Sequence, residues 1–366
     1  MNGTTEQYML GVMSGEQRGF GPSLLRGAMS IAEPFYKAAM WHRNYHYDHG
    51  WRVHRLPRQV ISVGNITVGG TGKTPVVRWL CDRLLQSGHH PAVLTRGFRS
   101  ADEPRMLGSF FAADAGKPRV AIAVNSDRVA GGKQLLADRP EIDVMLMDDG
   151  FQYRRLHRDF DLVLVNAAQP FGFGHVHPRG LLRESLRGLR RATVVLLTRV
   201  DGVSADALQD IEQKIQAVAP GVAMFRCSHQ LAGLRRADTP ADQPMDADIT
   251  ELAGKRVIVL CGLGDPASFE QQIRQNCGQI VRSIRTGDHR PPTEQQMAEL
   301  RSITNAQGDA IVTTEKDWQN IESANFPTAI PVWRVDMQIQ FAGDDGQKLL
   351  SAIETRLNKK GRTAEG

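Results

Sequence analysis

The stretch that most constrains this chain is Val60-Ile61-Ser62-Val63-Gly64-Asn65-Ile66-Thr67-Val68-Gly69-Gly70-Thr71-Gly72-Lys73-Thr74-Pro75, where a short apolar run passes into a glycine-rich turn and then into helix-forming sequence. That order of elements grips a phosphate chain. Gly69, Gly70 and Gly72, with Thr71 between them, let the backbone enter left-handed conformations and approach an anion, aiming N–H groups from the positive end of the next helix. Lys73 adds a mobile positive charge for β- and γ-phosphates, and the Thr74 hydroxyl can reach Mg²⁺. Pro75 suits a first helical turn, where its missing N–H is not needed. One position departs from the P-loop pattern: Thr67 stands where that pattern has glycine.

Around this loop, β-rich runs alternate with helical ones. Strands are predicted at 59–63, 91–95, 119–124, 143–147, 161–166 and 193–198, and helices near 74–87, 127–137 and 181–191. Such alternation predicts a parallel sheet covered on both faces, with ligands at the carboxyl ends of its strands. Between Cys227 and Ala253 the pattern dissolves into Ala, Asp, Pro and Gln, which predicts an interdomain connection. A second alternation follows from Arg256 to Thr314 and predicts a smaller α/β domain; Asp265-Pro266 is its clearest helix start.

With 366 residues the chain can build two cores, and 41% hydrophobic residues make it globular. The net charge of +5 is a mild excess. The four cysteines form no CxxC pair, so neither a disulfide framework nor a zinc site is indicated, and a reducing cytoplasm is the simpler setting. No run reaches the ~18 apolar residues of a membrane span, and the N-terminus has no export-signal pattern.

Residues 1–22 are Gly- and Ser-rich and predict a loose arm. Leu24, Ala28, Ile31, Phe35 and Ala39 then recur at helical spacing, followed by Trp41, Tyr45, Tyr47 and Trp51 among arginines. Two readings stand: an amphipathic helix at a lipid headgroup layer, or one packing its apolar face on the core. His42, His46 and His49 have near-ligand spacing, but no carboxylate or cysteine joins them, and they read as surface residues.

Val144-Met145-Leu146-Met147-Asp148-Asp149 is an apolar strand ending in two carboxylates, the Walker-B arrangement that holds Mg²⁺ or its waters beside phosphates. Arg96 follows a strand, and Arg128, after Asn125-Ser126-Asp127, begins a helical stretch; each is either a phosphate contact or a structural ion-pair partner. Arg183, Arg187, Arg190 and Arg191 lie at helical spacing, either as a basic face for an anionic group or as a solvated one. Asp102-Glu103-Pro104 and Asp288-His289 are polar pairs; a carboxylate assisted by an imidazole can deprotonate an attacking hydroxyl, though spacing alone does not pair them. Thr198-Arg199-Val200-Asp201 loosely resembles the guanine-reading element of GTPases and departs from it at the first two positions.

Taken in order, these segments resemble the tetraacyldisaccharide 4′-kinases, the lipid A kinases of Gram-negative bacteria. The matching stretches include Val60–Asn65, Val68–Thr74, Thr95–Phe98, Asp102–Pro104, Asp127-Arg128, Asp148–Gln152, Leu156–Asp159, Leu182–Glu184, Gly262–Gly264, Asp288-His289 and Thr313–Asp317. The resemblance implies two α/β/α domains, the larger N-terminal one a P-loop NTPase-like parallel sheet, plus an N-terminal amphipathic helix on the cytoplasmic face of the inner membrane. It implies ATP- and Mg²⁺-dependent phosphorylation of the 4′-hydroxyl of a tetraacylated disaccharide 1-phosphate by a monomer that binds anionic membrane and no nucleic acid. Carried over by position, Asp102 is the base and His289 assists it. Asp148, Asp149 and Glu184 join Thr74 near the metal, and Lys73 and Arg183 lie near phosphate. The expected divisions are an arm at 1–22, a helix and P-loop kinase domain at 23–228, a smaller domain at 229–352 and a polar tail at 353–366. Tyr153, Thr286-Gly287 and His177-Pro178-Arg179-Gly180 depart from the family pattern, which touches substrate detail more than reaction type. A P-loop GTPase or metallochaperone, and a membrane-bound adaptor without catalysis, are the alternatives.

Overall fold

The computed structural model describes residues 3–97, 107–111, 119–262, 266–286, 291–304, 308–321 and 330–361. The chain divides into unit 1 (Met1–Arg96, Val120–His229 and Ile339–Gly366) and unit 2 (Gly97–Arg119 and Gln230–Gln338).

Unit 1 opens with helices α1 (Gly3–Ser14) and α2 (Phe20–Asp48). It continues through β1 (Gln59–Asn65), α3 (Lys73–Gln86), β2 (Pro91–Thr95), β3 (Ala121–Val124), α4 (Arg128–Asp138), β4 (Val144–Asp148), β5 (Phe160–Asn166), β6 (Val194–Thr198), α5 (Ala205–Val218) and the first half of β7 (Ala223–Arg236). The strands run in the order β3-β2-β4-β1-β5-β6-β7, each pair parallel. The chain moves one way across this sheet through α3 and the opposite way through α4 and α5. Right-handed crossovers therefore put α3 on one face and the other two on the opposite face. Burial agrees: Val60, Ala92 and Met145 share a core with Val129 of α4, while the intervening Ile61, Val93 and Leu146, turned the other way, are equally buried. β1 lies centrally, with Val63 level with Asp148 of β4, so the loop leaving β1 starts beside the carboxylates ending β4.

In unit 2, β8 (Arg256–Cys261), α6 (Pro266–Asn276), β9 (Gln279–Arg285), α7 (Glu294–Thr304), β10 (Ala310–Thr314), α8 (Glu315–Ile321) and β11 (Val332–Phe341) follow one another. The strand order is β11-β10-β8-β9, again parallel. Val257 and Val259 pack with Phe269 and Ile273 of α6, and Ile258 and Leu260 pack with Met297 and Leu300 of α7. Alternate residues of one strand thus feed two cores, as in any sheet covered on both sides.

Four local expectations differ from this fold. Residues 3–14 are helical, and Val12 and Met13 bury against Met29 of α2 instead of trailing as an arm. The predicted helix at 181–191 is only a short 3₁₀ turn, Leu186–Arg191, preceded by irregular chain. The stretch starting at Cys227 is not purely a connection, because β7 runs on to Arg236, and its inward alternation of Phe225, Cys227 and His229 is diluted by Arg226 and Ser228. The polar tail is the helix α9 (Asp345–Gly361), which buries Leu349, Ile353 and Leu357. It also holds unit 1 through Gln59 Nε2 donating to the Leu357 carbonyl at 2.5 Å and Arg356 Nε donating to the Asp159 carbonyl at 3.0 Å. Against the expected divisions at 22, 228 and 352, the units change after Arg96, Arg119, His229 and Gln338.

Helix α2 does not pack its apolar stripe on the core. It turns Met29 and the carboxylate of Glu33 inward, while the apolar stripe Leu24, Ala28, Ile31, Phe35 and Ala39 faces outward. Phe35 is 74% and Trp41 68% exposed. Glu33 accepts from the Val176 N–H at 3.1 Å and meets His175 Nδ1 at 3.0 Å, so the inward side is fastened by polar contacts, with Lys37 of the same helix at 2.8 Å.

Candidate active site

Three segments meet at the carboxyl end of β1, each pinned through its backbone. The Arg183 N–H donates to the Ile66 carbonyl at 2.8 Å, and the Val68 N–H donates to the Leu181 carbonyl at 2.7 Å. After β4, the Gly150 N–H donates to the Val63 carbonyl at 3.1 Å, and Gln152 Nε2 donates to the Asn65 carbonyl at 2.8 Å. Gly64 has to be glycine for this junction, since a Cβ there would lie 2.7 Å from the Phe151 nitrogen. Thr67, the odd residue of the loop, is buried in an antiparallel bridge with Leu182 and is not among the residues with positive φ. The position therefore has no need of glycine.

The loop is braced from behind. Asn65 Nδ2 donates to Thr71 Oγ1 at 3.0 Å, and Thr198 Oγ1 donates to the Thr71 carbonyl at 3.2 Å. Gly72 is left-handed at φ 80° and caps α3 with no side chain, so the first N–H groups of α3 face the loop without a side-chain acceptor. Helix α4, by contrast, is capped by Asp127, which accepts from the Val129 and Ala130 N–H groups.

Asp149 collects the positive charge. Arg183 Nη1 reaches both of its carboxylate oxygens at 2.8 Å, and Lys73 Nζ lies at 3.5 Å. Burial alone would raise its pKa, but the charges of Lys73 and Arg183 outweigh this and hold it at about 2. Its backbone is left-handed at φ 48°, a conformation that is uncommon for a residue with a side chain. Asp148 is buried at the end of β4, and its carbonyl accepts from Arg128 Nη2 at 3.4 Å. Arg128 is itself buried and stacks on Tyr153 at 4.7 Å, while the Tyr153 hydroxyl donates to Asp127 at 3.1 Å. The departure at Tyr153 thus builds a stacking platform.

Glu184 behaves differently from the other predicted metal residues. It is buried, and its two oxygens take Arg191 Nη2 at 2.9 and 2.8 Å, Gln152 Nε2 at 3.1 Å and Asn44 Nδ2 at 3.4 Å. This places Glu184 in a structural ion pair, and Arg191 on Glu184 instead of on a solvated face. Among the described residues, no group of three or more His, Cys, Asp or Glu is arranged to hold a metal. The hard oxygens of Thr74, Asp148 and Asp149 suit Mg²⁺, which needs few protein ligands, whereas those of Glu184 are taken up in this structure by Arg191, Gln152 and Asn44. Asp102 and His289, the expected base and its assistant, lie outside the described residues.

Sequence reasoning passed over His229. It lies on β7, 4% exposed, directly against Gly72: a Cβ on that glycine would sit 2.2 Å from His229 Nε2. Among the described residues neither ring nitrogen has a hydrogen-bond partner, and the backbone packed against the ring is that of Gly72. Burial, with the Arg199 guanidinium adding to it, lowers its pKa to about 4, so the ring is neutral at pH 7. Its signal is the period-2 alternation Phe225, Cys227, His229, which runs into the stretch whose composition predicts a connection.

A helix start without a side-chain cap, a lysine able to leave its carboxylate and acidic groups one strand away serve one kind of ligand, a polyphosphate with its cation. The fold and site define a P-loop phosphotransferase-type α/β protein. Within that class, the chain belongs to the tetraacyldisaccharide-1-P 4′-kinase family, whose model matches residues 25–358. It is 33% identical over 344 residues to the tetraacyldisaccharide 4′-kinase of Geobacter sulfurreducens, covering 89% of this chain and 93% of that one. To the Geobacter metallireducens protein of the same name it is 34% identical over 314 residues, covering 80% and 88%. The crystal structure of LpxK from Aquifex aeolicus in complex with ATP superposes with a TM-score of 0.68 at 24% identity, covering 91% of this chain and 99% of that one. The GTPase alternative is not better supported: the family match is to kinases.

Proposed function

We propose that this chain transfers the γ-phosphate of ATP to the 4′-hydroxyl of tetraacyldisaccharide 1-phosphate at the cytoplasmic face of the inner membrane. The single observation that carries this reading is the cluster of Lys73, Asp149 and Arg183 at the start of α3. In it, a lysine and an arginine are both parked on one carboxylate, ready to exchange it for phosphate oxygens. The N–H groups of the loop take the β-phosphate, and Lys73 and Arg183 take charge that develops on the transferring group. Thr74 and one or both of Asp148 and Asp149 would hold Mg²⁺, which neutralises phosphate charge when bound. Asp102, assisted by His289, accepts the proton of the 4′-hydroxyl as its oxygen attacks phosphorus and the bond to the β–γ bridging oxygen breaks; both roles rest on the resemblance alone.

No helix among the described residues is long and apolar enough to cross a membrane. The outward stripe of α2 supports a peripheral attachment instead, with its apolar side chains in the headgroup layer and the arginines around Trp51 on anionic lipid. The enzyme acts as a monomer in this reading. The test is transfer of labelled γ-phosphate from ATP to the purified lipid disaccharide by wild type, Lys73→Ala and Asp102→Ala. Both variants are expected to lose turnover, and Asp102→Ala is expected to keep ATP affinity. Collapse of ATP affinity in Asp102→Ala would remove it as the base.

A further inference from the structure

Among the described residues His229 is the buried imidazole set against the phosphate loop, and an imidazole is a costly side chain to use as filler there. The inward positions before it on β7 are Phe225 and Cys227, which need no partner. An aliphatic side chain would fill the same space without stranding two ring nitrogens away from water. What the ring packs against in the loop is the backbone of Gly72, the residue that leads into the Gly72–Lys73 peptide. A trans peptide is planar, and its C=O and N–H point opposite ways. A donor that takes the Gly72 carbonyl therefore aims the Lys73 N–H away from β7 and into the loop.

We infer that His229 is a positioning residue for the phosphate loop: in the nucleotide-loaded enzyme its Nε2–H donates to the Gly72 carbonyl and fixes the plane of the Gly72–Lys73 peptide, whose N–H then meets the β-phosphate. The ring acts through Gly72 and touches no reacting atom. Two braces on Thr71, from Asn65 and Thr198, hold the neighbouring residue of the loop, and His229 supplies the third at the residue that starts α3. Gly72 is doubly constrained as a result, by its positive φ of 80° and by the ring that occupies the place of a side chain.

This inference rests on the reading of the loop as an ATP site, so the experiment carries controls for both. ATP and ADP are titrated by calorimetry into wild type, Lys73→Ala, His229→Leu and His229→Gln, with the melting temperature of each recorded. Leucine fills the space without a donor, whereas glutamine returns an N–H at similar reach. His229→Leu is expected to weaken both nucleotides about tenfold, the size of one net hydrogen bond. His229→Gln is expected to stay within about threefold of wild type even if both variants melt lower. Wild-type affinity in His229→Leu, or a glutamine variant as weak as the leucine one, overturns the inference while leaving the ATP site standing. A wild type that binds neither nucleotide overturns both.

Discussion

The chemistry at the loop is decided by how three side chains share charge. Asp149 is only partly buried, yet Lys73 and Arg183 keep it ionised to about pH 2. The sign of the resulting pH dependence follows. A carboxylate whose pKa is lower in the folded state adds stability that is complete above its unfolded pKa of about 4 and is lost as the pH falls toward 2. Asp149→Asn should therefore flatten the acid limb of a melting-temperature profile between about pH 4 and 2, compared with wild type. His229 has the same sign in a higher window. Its unfolded form takes up a proton near pH 6.5 and its folded form only near 4. Stability should fall across that interval, by at most ~3 kcal/mol, and His229→Leu should lose less of it. For Lys73→Ala, turnover should drop at least about 100-fold, read as phosphate transferred per enzyme, since one preorganised charge on the transferring group is removed. Glu184 is the residue whose sequence reading and surroundings diverge most. Glu184→Gln should lower unfolding stability by about 2–4 kcal/mol, because it strands Arg191, and leave the Mg²⁺ dependence of turnover where it was. A shifted Mg²⁺ requirement at unchanged stability would return Glu184 to the metal.

Among the elements, α2 and α9 carry what local sequence could not settle. The apolar stripe of α2 was legible as periodicity, but period alone does not say which side faces the protein. Burial of Glu33 with its backbone and lysine partners decides it, and those partners come from 143 residues and one helical turn away. Phe35→Asp should reduce co-sedimentation with anionic vesicles severalfold while changing unfolding stability by under about 0.5 kcal/mol, because an exposed side chain leaves nothing unpacked behind it. Unchanged vesicle binding would point to another surface. α9 was missed because Asn358-Lys359-Lys360 dominates its composition, whereas Leu349, Ile353 and Leu357 keep a helical spacing upstream. Ile353→Ala should cost about 2–4 kcal/mol in chemical denaturation, a large effect for a segment that reads as a frayed end. The P-loop, β1 and β4 were readable at once, since glycine spacing and a strand-end aspartate pair are local signals. β7 was not, because polar residues on its outer side break the apolar run that marks a buried strand.

At the scale of the whole molecule, both alternating stretches became parallel sheets with helices on two faces, as their order of strands and helices requires. What sequence order could not convey is that the units are discontinuous. Residues 97–119 leave unit 1 between β2 and β3, and the chain returns to it at Ile339. Such returns depend on which cores distant segments fill, and a linear reading has no access to that. Whether this fold moves phosphate from ATP to a lipid disaccharide is read most directly in a transfer assay with labelled γ-phosphate and the purified acceptor. Label should appear on the 4′-oxygen of the disaccharide with wild type and fall to background with Lys73→Ala. Label released only as free phosphate, at a rate indifferent to the lipid, would contradict that transfer.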